Sequence, residues 1–414
     1  MSLEWIEGVP ADWHISKAQF VLDYQKRDVQ EDDEIVTAFR DGQVTLRRNR
    51  RTDGFTLAEK EIGYQHICEG DLVVHSMDGG FGAIGVSDSC GKASPVVHAY
   101  TSSLCDLRFV AYQLRAAVKA GWIAALAKGI RVRSTQFDRP ALASLNIAYP
   151  TVETQQRIAD YLDRETAEID AAVADLDKYL ELLEKRRLET ITSAVEGSSG
   201  PGKDKLGSEE FLKPKLGYVV IDIRTGLNPR KNFELDTPGA ENWYVTVREL
   251  DGVAIRTSEA TSKINDQALE MIQKRARIKV GDVLFSGTGT IGNTALVSLP
   301  PSNWGVKEGI YILTPDTSLM RSDFLLWILR SRKILSLADE MSDGSTIKSI
   351  PIEKLKRVPI PLPSLSVQKS IVNYLDRENT EIDALVTESK KLRGLLLKRR
   401  SVLITEVVTG RKQV

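Results

Sequence analysis

The chain has 414 residues, enough for two or three domains each with its own core, and its 42% apolar and 27% charged residues are those of globular protein. A net charge of −1 gives no global attraction for nucleic acid, and no apolar run is long enough to span a bilayer. No leader peptide is recognised, and three cysteines, Cys68, Cys90 and Cys105, lack metal-ligand spacing, which predicts buried thiols in a reducing cytoplasm.

In chain order, turn residues at Gly8-Val9-Pro10 accompany Trp5 and Trp13. A strand-like Val36–Phe39, a turn at Asp41-Gly42 and the loop Arg47-Arg48-Asn49-Arg50-Arg51 follow. Gly70–His75 reads as a turn feeding a strand, and the Gly-rich Gly79–Gly85 comes next. Leu107, Val110, Leu114 and Val118 have helical spacing, and Leu114–Ile130 reads as amphipathic helix because Arg115, Lys119 and Lys128 interrupt it. The extended Leu145–Tyr149 leads through Pro150 into a long helix.

That helix occurs twice. Residues 155–197 and 368–410 align without a gap, with 22 identities in 43 positions, where chance gives about one in twenty. Leu162, Ile169, Leu176 and Leu183 are seven apart; so are Leu375, Ile382, Leu396 and Leu403, with Ser389 in the middle. Ile158 and Tyr179, with Leu385 and Leu392, fill much of the interleaved position, so the pattern is a coiled-coil seam. Gly197 stands as a C-terminal stop, and the linker Gly197–Lys205 is flexible by composition.

The second half replays the first. Gly281–Phe285 answers Gly70–Val74, Phe324–Arg330 answers Phe109–Arg115, and Val358–Pro363 answers the approach to Pro150. Each half carries a Gly-x-Gly-x-x-Gly, at Gly80–Gly85 and Gly287–Gly292. A dinucleotide fingerprint needs a helix next, and the residues that follow look extended or turn-forming. The histidines, His14, His66, His75 and His98, have no zinc spacing, and no catalytic constellation stands out. Positive charge clusters locally at residues 47–51, 128–133, 274–279 and 348–357, which suits phosphate binding.

The chain resembles the specificity (S) subunit of type I restriction–modification enzymes. The resemblance rests on Ile360-Pro361-Leu362-Pro363-Ser364-Leu365 with Gln368, Tyr374-Leu375-Asp376, Glu381-Ile382-Asp383, Lys398-Arg399-Arg400 and Val408-Thr409-Gly410. Gly70–Pro95 and the Arg50–Phe55 turn look like one class of its target-recognition domains. The resemblance implies an α/β (α+β) fold: two target-recognition domains separated by two long helices that form an antiparallel coiled coil with a pseudo-two-fold repeat. The expected divisions are residues 1–150 for the first domain, 151–197 for the first helix, 198–205 for the linker, 206–362 for the second domain and 363–410 for the second helix.

It further implies a non-catalytic subunit that reads a bipartite DNA target and docks two methyltransferase subunits, which restriction subunits join. No cofactor belongs to this chain; S-adenosylmethionine, Mg and ATP belong to the partners. Candidate DNA-binding residues are Arg47, Arg48, Arg50 and Arg51 in one domain, and Lys274, Arg275, Arg277, Ser286, Thr288 and Ser345 in the other. Leu162, Ile169, Leu176, Leu183, Leu375, Ile382, Leu396 and Leu403 are the seam and docking residues. The rival reading is a coiled-coil assembly adaptor that touches no DNA.

Overall fold

The computed structural model describes residues 6, 8–50, 61–123, 137–201, 211–230, 232–301, 303–340 and 348–414; Arg51, Ser345 and linker residues 202–205 lie outside these. The chain forms two compact units. The first is Met1–Leu176 together with Lys390–Val414; the second is Asp177–Ser389. Both divisions fall inside long helices, Val152–Val195 and Leu365–Val408.

The first unit is built on a four-stranded antiparallel sheet in the order Asp23–Gln25, Val97–Thr101, Leu72–His75, Ile84–Val86. Leu72, Val73 and Val74 are all buried because both sheet faces are covered. Leu72 and Val74 meet Val110, Leu114 and Ala117 of the helix Leu107–Lys119. Val73 meets Val36, Val44, Ile67 and Ala93, from the hairpin Val36–Ala38/Val44–Leu46 and the strand pair Gln65–Ile67/Gly91–Ala93. Asp106 caps the helix, accepting from the Arg108 and Phe109 amides. The helix ends at Lys119 and Gly121 takes φ 79°, so the stretch expected as one helix to Ile130 breaks here; residues 124–130 are outside the description.

The second unit has the same plan. Its sheet runs Val220–Thr225, Ile310–Pro315, Val283–Ser286, Thr294–Leu296, again antiparallel. Val283 and Phe285 face Phe324, Leu325 and Ile328 of the helix Ser322–Leu329. Leu284 faces Val245 and Val306 of a second sheet, where Asn242–Val245 pairs parallel to Trp304–Val306. The glycine motifs close β-hairpins in both units, and a strand follows each one, so neither presents a helix N-terminus to a pyrophosphate.

One glutamine fastens the sheet-bearing part of each unit to its long helix. Gln155 Oε1 accepts from the Asp106 amide at 2.8 Å, while its Nε2 donates to Leu104 O and Pro150 O. Gln368 Oε1 accepts from the Arg321 amide at 2.8 Å, while its Nε2 donates to Leu319 O and Pro363 O. About two turns further along each helix, Tyr112 donates to Asp163 at 2.7 Å, and Trp327 Nε1 donates to Asp376 at 3.1 Å. These bonds give a structural reason for repeat identities that an apolar seam does not require.

The two long helices pair antiparallel within each unit. In the first, Arg400 meets Asp170 and Lys412 meets Tyr161, over a core of Ile158, Leu162, Ile169, Leu403, Ile404 and Val407. In the second, Arg187 meets Asp383 at 2.5 Å above Leu183, Ile382 and Val386. The seam departs from expectation: at the interleaved position Ile158 is buried, whereas Tyr179, Leu385 and Leu392 are exposed, and of the heptad leucines Leu176 and Leu396 are only half-buried. Where no domain helix covers the pair, two helices alone enclose a narrow stripe. Among the cysteines Cys105 is buried but Cys90 is exposed, contrary to the expectation of buried thiols, and all three are free.

Candidate functional site

The hairpin Val36–Ala38/Val44–Leu46 forms one wall of a cleft of about 630 Å³ in the first unit. Thr37, Phe39, Arg40, Arg47, Arg50, His75 and Asp78 are among its lining residues. Its cations are held in place. The Arg50 guanidinium lies 4.3 Å from the Phe39 ring centroid and pairs with Asp41 at 2.6 Å. Arg40 lies 4.8 Å from the Phe81 ring centroid and donates to Asp78 at 2.7 Å. Arg47 Nε donates to Thr37 Oγ1 at 3.4 Å. Stacked guanidiniums keep donors to spare, and each has already lost much of the side-chain entropy that anion binding costs. His75 Nδ1 accepts from the Asp78 amide at 3.1 Å, and burial lowers the pKa of this histidine.

The second unit has a cleft of about 750 Å³, lined by Asn228, Arg230, Arg248, Thr288, Thr290 and Lys307 among others. Asn228 Nδ2 donates to Glu308 at 2.7 Å. Beneath them Glu249 is buried and satisfied, accepting from the Thr246 amide and hydroxyl and from Thr261. Arg230 is an exposed cation at φ 33°, a backbone conformation that costs a non-glycine residue about 1–3 kcal/mol.

The candidate residues divide accordingly. Arg47 and Arg50 line the first cleft; Arg48 is instead paired with Glu34 outside the lining, and Arg51 is outside the described residues. Ser286 and Thr288 border the second cleft. Ser286 is buried with its hydroxyl committed to the turn, donating to Thr290 O at 2.6 Å and accepting from the Asn293 amide at 3.0 Å. Thr288 is exposed, 3.1 Å from the Ser349 hydroxyl. Lys274 and Arg275 are exposed at the end of the helix Asp266–Ala276, with Arg277 its C-cap; none lines the cleft, and Lys274 pairs with Glu270. Ser345 is outside the described residues. Arg40, Arg230, Arg248 and Lys307 were missed in the sequence because single cations in mixed surroundings give no cluster signal.

Behind each cleft an arginine on the domain helix reaches an Asp-Gly turn. Arg115 packs against Gly42, which has φ 96°. Burial lowers the Arg115 pKa, and the charge of Arg400 lowers it further. Arg330 donates to Gly252 O at 3.3 Å, and Gly252 has φ 100°. Burial and the charge of Arg187 push Arg330 down to about 10. In both turns the aspartate, Asp41 or Asp251, pairs with an arginine on its other side, Arg50 or Arg256. Arg400 and Arg187 are themselves paired with Asp170 and Asp383.

Residues 219–392 match the model of the type I restriction modification DNA specificity domain. The chain is 29% identical over 116 residues to a putative type I restriction enzyme specificity subunit of Haemophilus influenzae, covering 28% of this chain and 29% of that protein. It is 21% identical over 290 residues to the putative MjaX specificity subunit of Methanocaldococcus jannaschii, covering 68% and 63% of the two chains. It is 23% identical over 243 residues to the EcoBI specificity subunit of Escherichia coli, covering 55% and 50%. The matches thus span less than two thirds of these relatives' own lengths. A chain in a solved structure on complex assembly and conformational transition of the type I R-M system superposes with a TM-score of 0.66 at 16% identity, covering 97% of this chain and 98% of that one. Residues 219–392 thus resemble the type I restriction modification DNA specificity domain, and the chain has the fold of the type I R-M chain over nearly its whole length.

Proposed function

We propose that the chain is the DNA-reading specificity subunit of a type I restriction–modification complex. Each unit binds one half of a bipartite target. The observation that carries this is the repetition of one framework, with the same strand order and the same glutamine fastening, around two clefts whose linings differ. A framework repeated around unlike clefts suits an asymmetric site with two different half-sequences. Arg40, Arg47 and Arg50 in one cleft, and Arg230, Arg248 and Lys307 in the other, supply phosphate and base-edge donors.

The chain itself carries out no chemistry in this reading. Methyl transfer, with S-adenosylmethionine, belongs to two methyltransferase subunits; cleavage, with Mg and ATP, belongs to restriction subunits, and the complex works in the cytoplasm. The buried seam leucines and isoleucines hold the helix pair. Docking falls to apolar side chains that the helices leave exposed, Tyr179, Leu182, Leu395 and Leu397 among them.

The test is binding of the chain, with its methyltransferase partner, to duplex carrying the methylated motif mapped in the source genome. Affinity should fall linearly with salt on logarithmic axes, and Arg47→Ala with Arg50→Ala should flatten the slope by about 0.9 per lost phosphate contact. Assembly with the methyltransferase but no salt-dependent DNA binding would favour the adaptor reading.

A further inference from the structure

The hairpin between Leu72–His75 and Ile84–Val86 ends in a turn unlike its counterpart in the second unit. Its 3-10 turn Gly79–Phe81 presents Phe81 at 41% exposure, with Met77 at 49% close by. A single exposed aromatic ordinarily carries no meaning. Phe81 differs in how it is held. The Phe81 and Ala83 amides both donate to Asp78 O, and the His75 amide donates to Ala83 O. Gly82 has φ 103° and lies so close to the Arg40 carbonyl that a Cβ there would sit 2.5 Å from the oxygen. The Arg40 guanidinium covers the Phe81 ring and is itself tied to Asp78. Arg40 and Asp78 are lining residues of the first cleft, so the ring stands where that cleft's cations gather.

The corresponding turn of the second unit follows Val283–Ser286 in the same place in its sheet. Its exposed residues are Thr288, Gly289 and Thr290, and it carries no aromatic side chain. Nothing lies within 4 Å of where a Gly289 Cβ would be.

Resting on the DNA-reading function above, we propose that Phe81 is a wedge. Its ring enters the base stack of the half-site held by the first unit, and the second unit reads its half-site through the Thr288 and Thr290 hydroxyls without unstacking it. Apolar side chains inserted at a base step kink DNA, and pyrimidine–purine steps yield most easily. A rigid turn suits a wedge, since a floppy one would lose the stacking gain in ordering itself. The cationic face of Arg40 beside the ring supplies the phosphate contact that the opened step needs.

The experiment uses the complete complex with its methyltransferase subunits, on duplex carrying the mapped motif with 2-aminopurine at successive positions. With the two methylated adenines themselves left unsubstituted, wild type should raise the fluorescence at one step of one half-site and at none of the other. Phe81→Ser should abolish the rise and weaken binding about tenfold, Phe81→Leu should retain part of both, and Thr288→Ala with Thr290→Ala should leave the rise intact. A rise that survives Phe81→Ser, or a tightly binding wild-type complex that raises no fluorescence in either half-site, overturns the wedge while leaving the DNA-reading function standing. A complex that binds no duplex overturns that function and the wedge with it.

Discussion

Gly42 and Gly252 occupy equivalent turns with nearly equal positive φ, 96° and 100°, yet they face different surroundings. A Cβ on Gly42 would lie 2.3 Å from a guanidinium nitrogen of Arg115, whereas one on Gly252 would lie 3.5 Å from Arg330. Left-handed backbone costs each alanine variant about 1–2 kcal/mol. Gly42→Ala must also displace a half-buried cation, so it should lower the thermal midpoint more than Gly252→Ala; equal shifts would mean that Arg115 swings aside freely. His75 gives a pH dependence of known sign. Burial lowers its folded pKa below the ordinary 6.5, as it does for His98, so the unfolded chain binds more protons near that pH. Stability should be complete above pH 6.5 and decline below it as the unfolded histidines take up protons. Melting scans between about pH 7.5 and 5.5 check this, with His75→Gln and His98→Gln expected to flatten the decline.

At the scale of elements, the long helices divide into lengths that a third helix covers and lengths that stand as a bare pair. Leu162 is fully buried beneath Phe109 and Tyr112, while Leu176 is half-buried. Leu162→Ala should therefore cost about 2–5 kcal/mol and Leu176→Ala less than half of that, measured by denaturant unfolding. Similar losses would mean that the heptad positions are equivalent after all. These helices were legible in the sequence because heptad spacing and the repeat are local signals. Asp163 and Asp376 were visible there only as unexplained identities, since their partners Tyr112 and Trp327 lie 51 and 49 residues away. The clefts were far less legible. Residues from 35 to 97 form the first one, brought together by sheet pairings that no short window records. Of the clustered arginines, Arg47 and Arg50 lie beside the hairpin that borders the first cleft, whereas Lys274–Arg277 lie at a helix end outside the second.

For the molecule as a whole, the repeated framework around unlike clefts makes each unit exchangeable on the proposed reading. Substituting residues 1–150 with the equivalent domain of a relative should change one half of the methylated motif and leave the other intact, as read by sequencing methylated adenines. A hybrid altered in both halves would mean that neither cleft reads independently.

The first unit takes its last 25 residues, Lys390–Val414, from the far end of the chain, whereas the second is one continuous segment. On a ribosome this fixes an order of birth. The second unit has every residue it needs once Ser389 has left the exit tunnel, although its sequence begins later. The first is still waiting then, with the surface of Phe109, Ile158 and Leu162 open until Leu403 and Val407 arrive to cover it. Such a surface is a standing invitation to chaperones. Nascent chains arrested with about 390 residues exposed should resist protease over the second unit while the first is still cut, and full release should protect both.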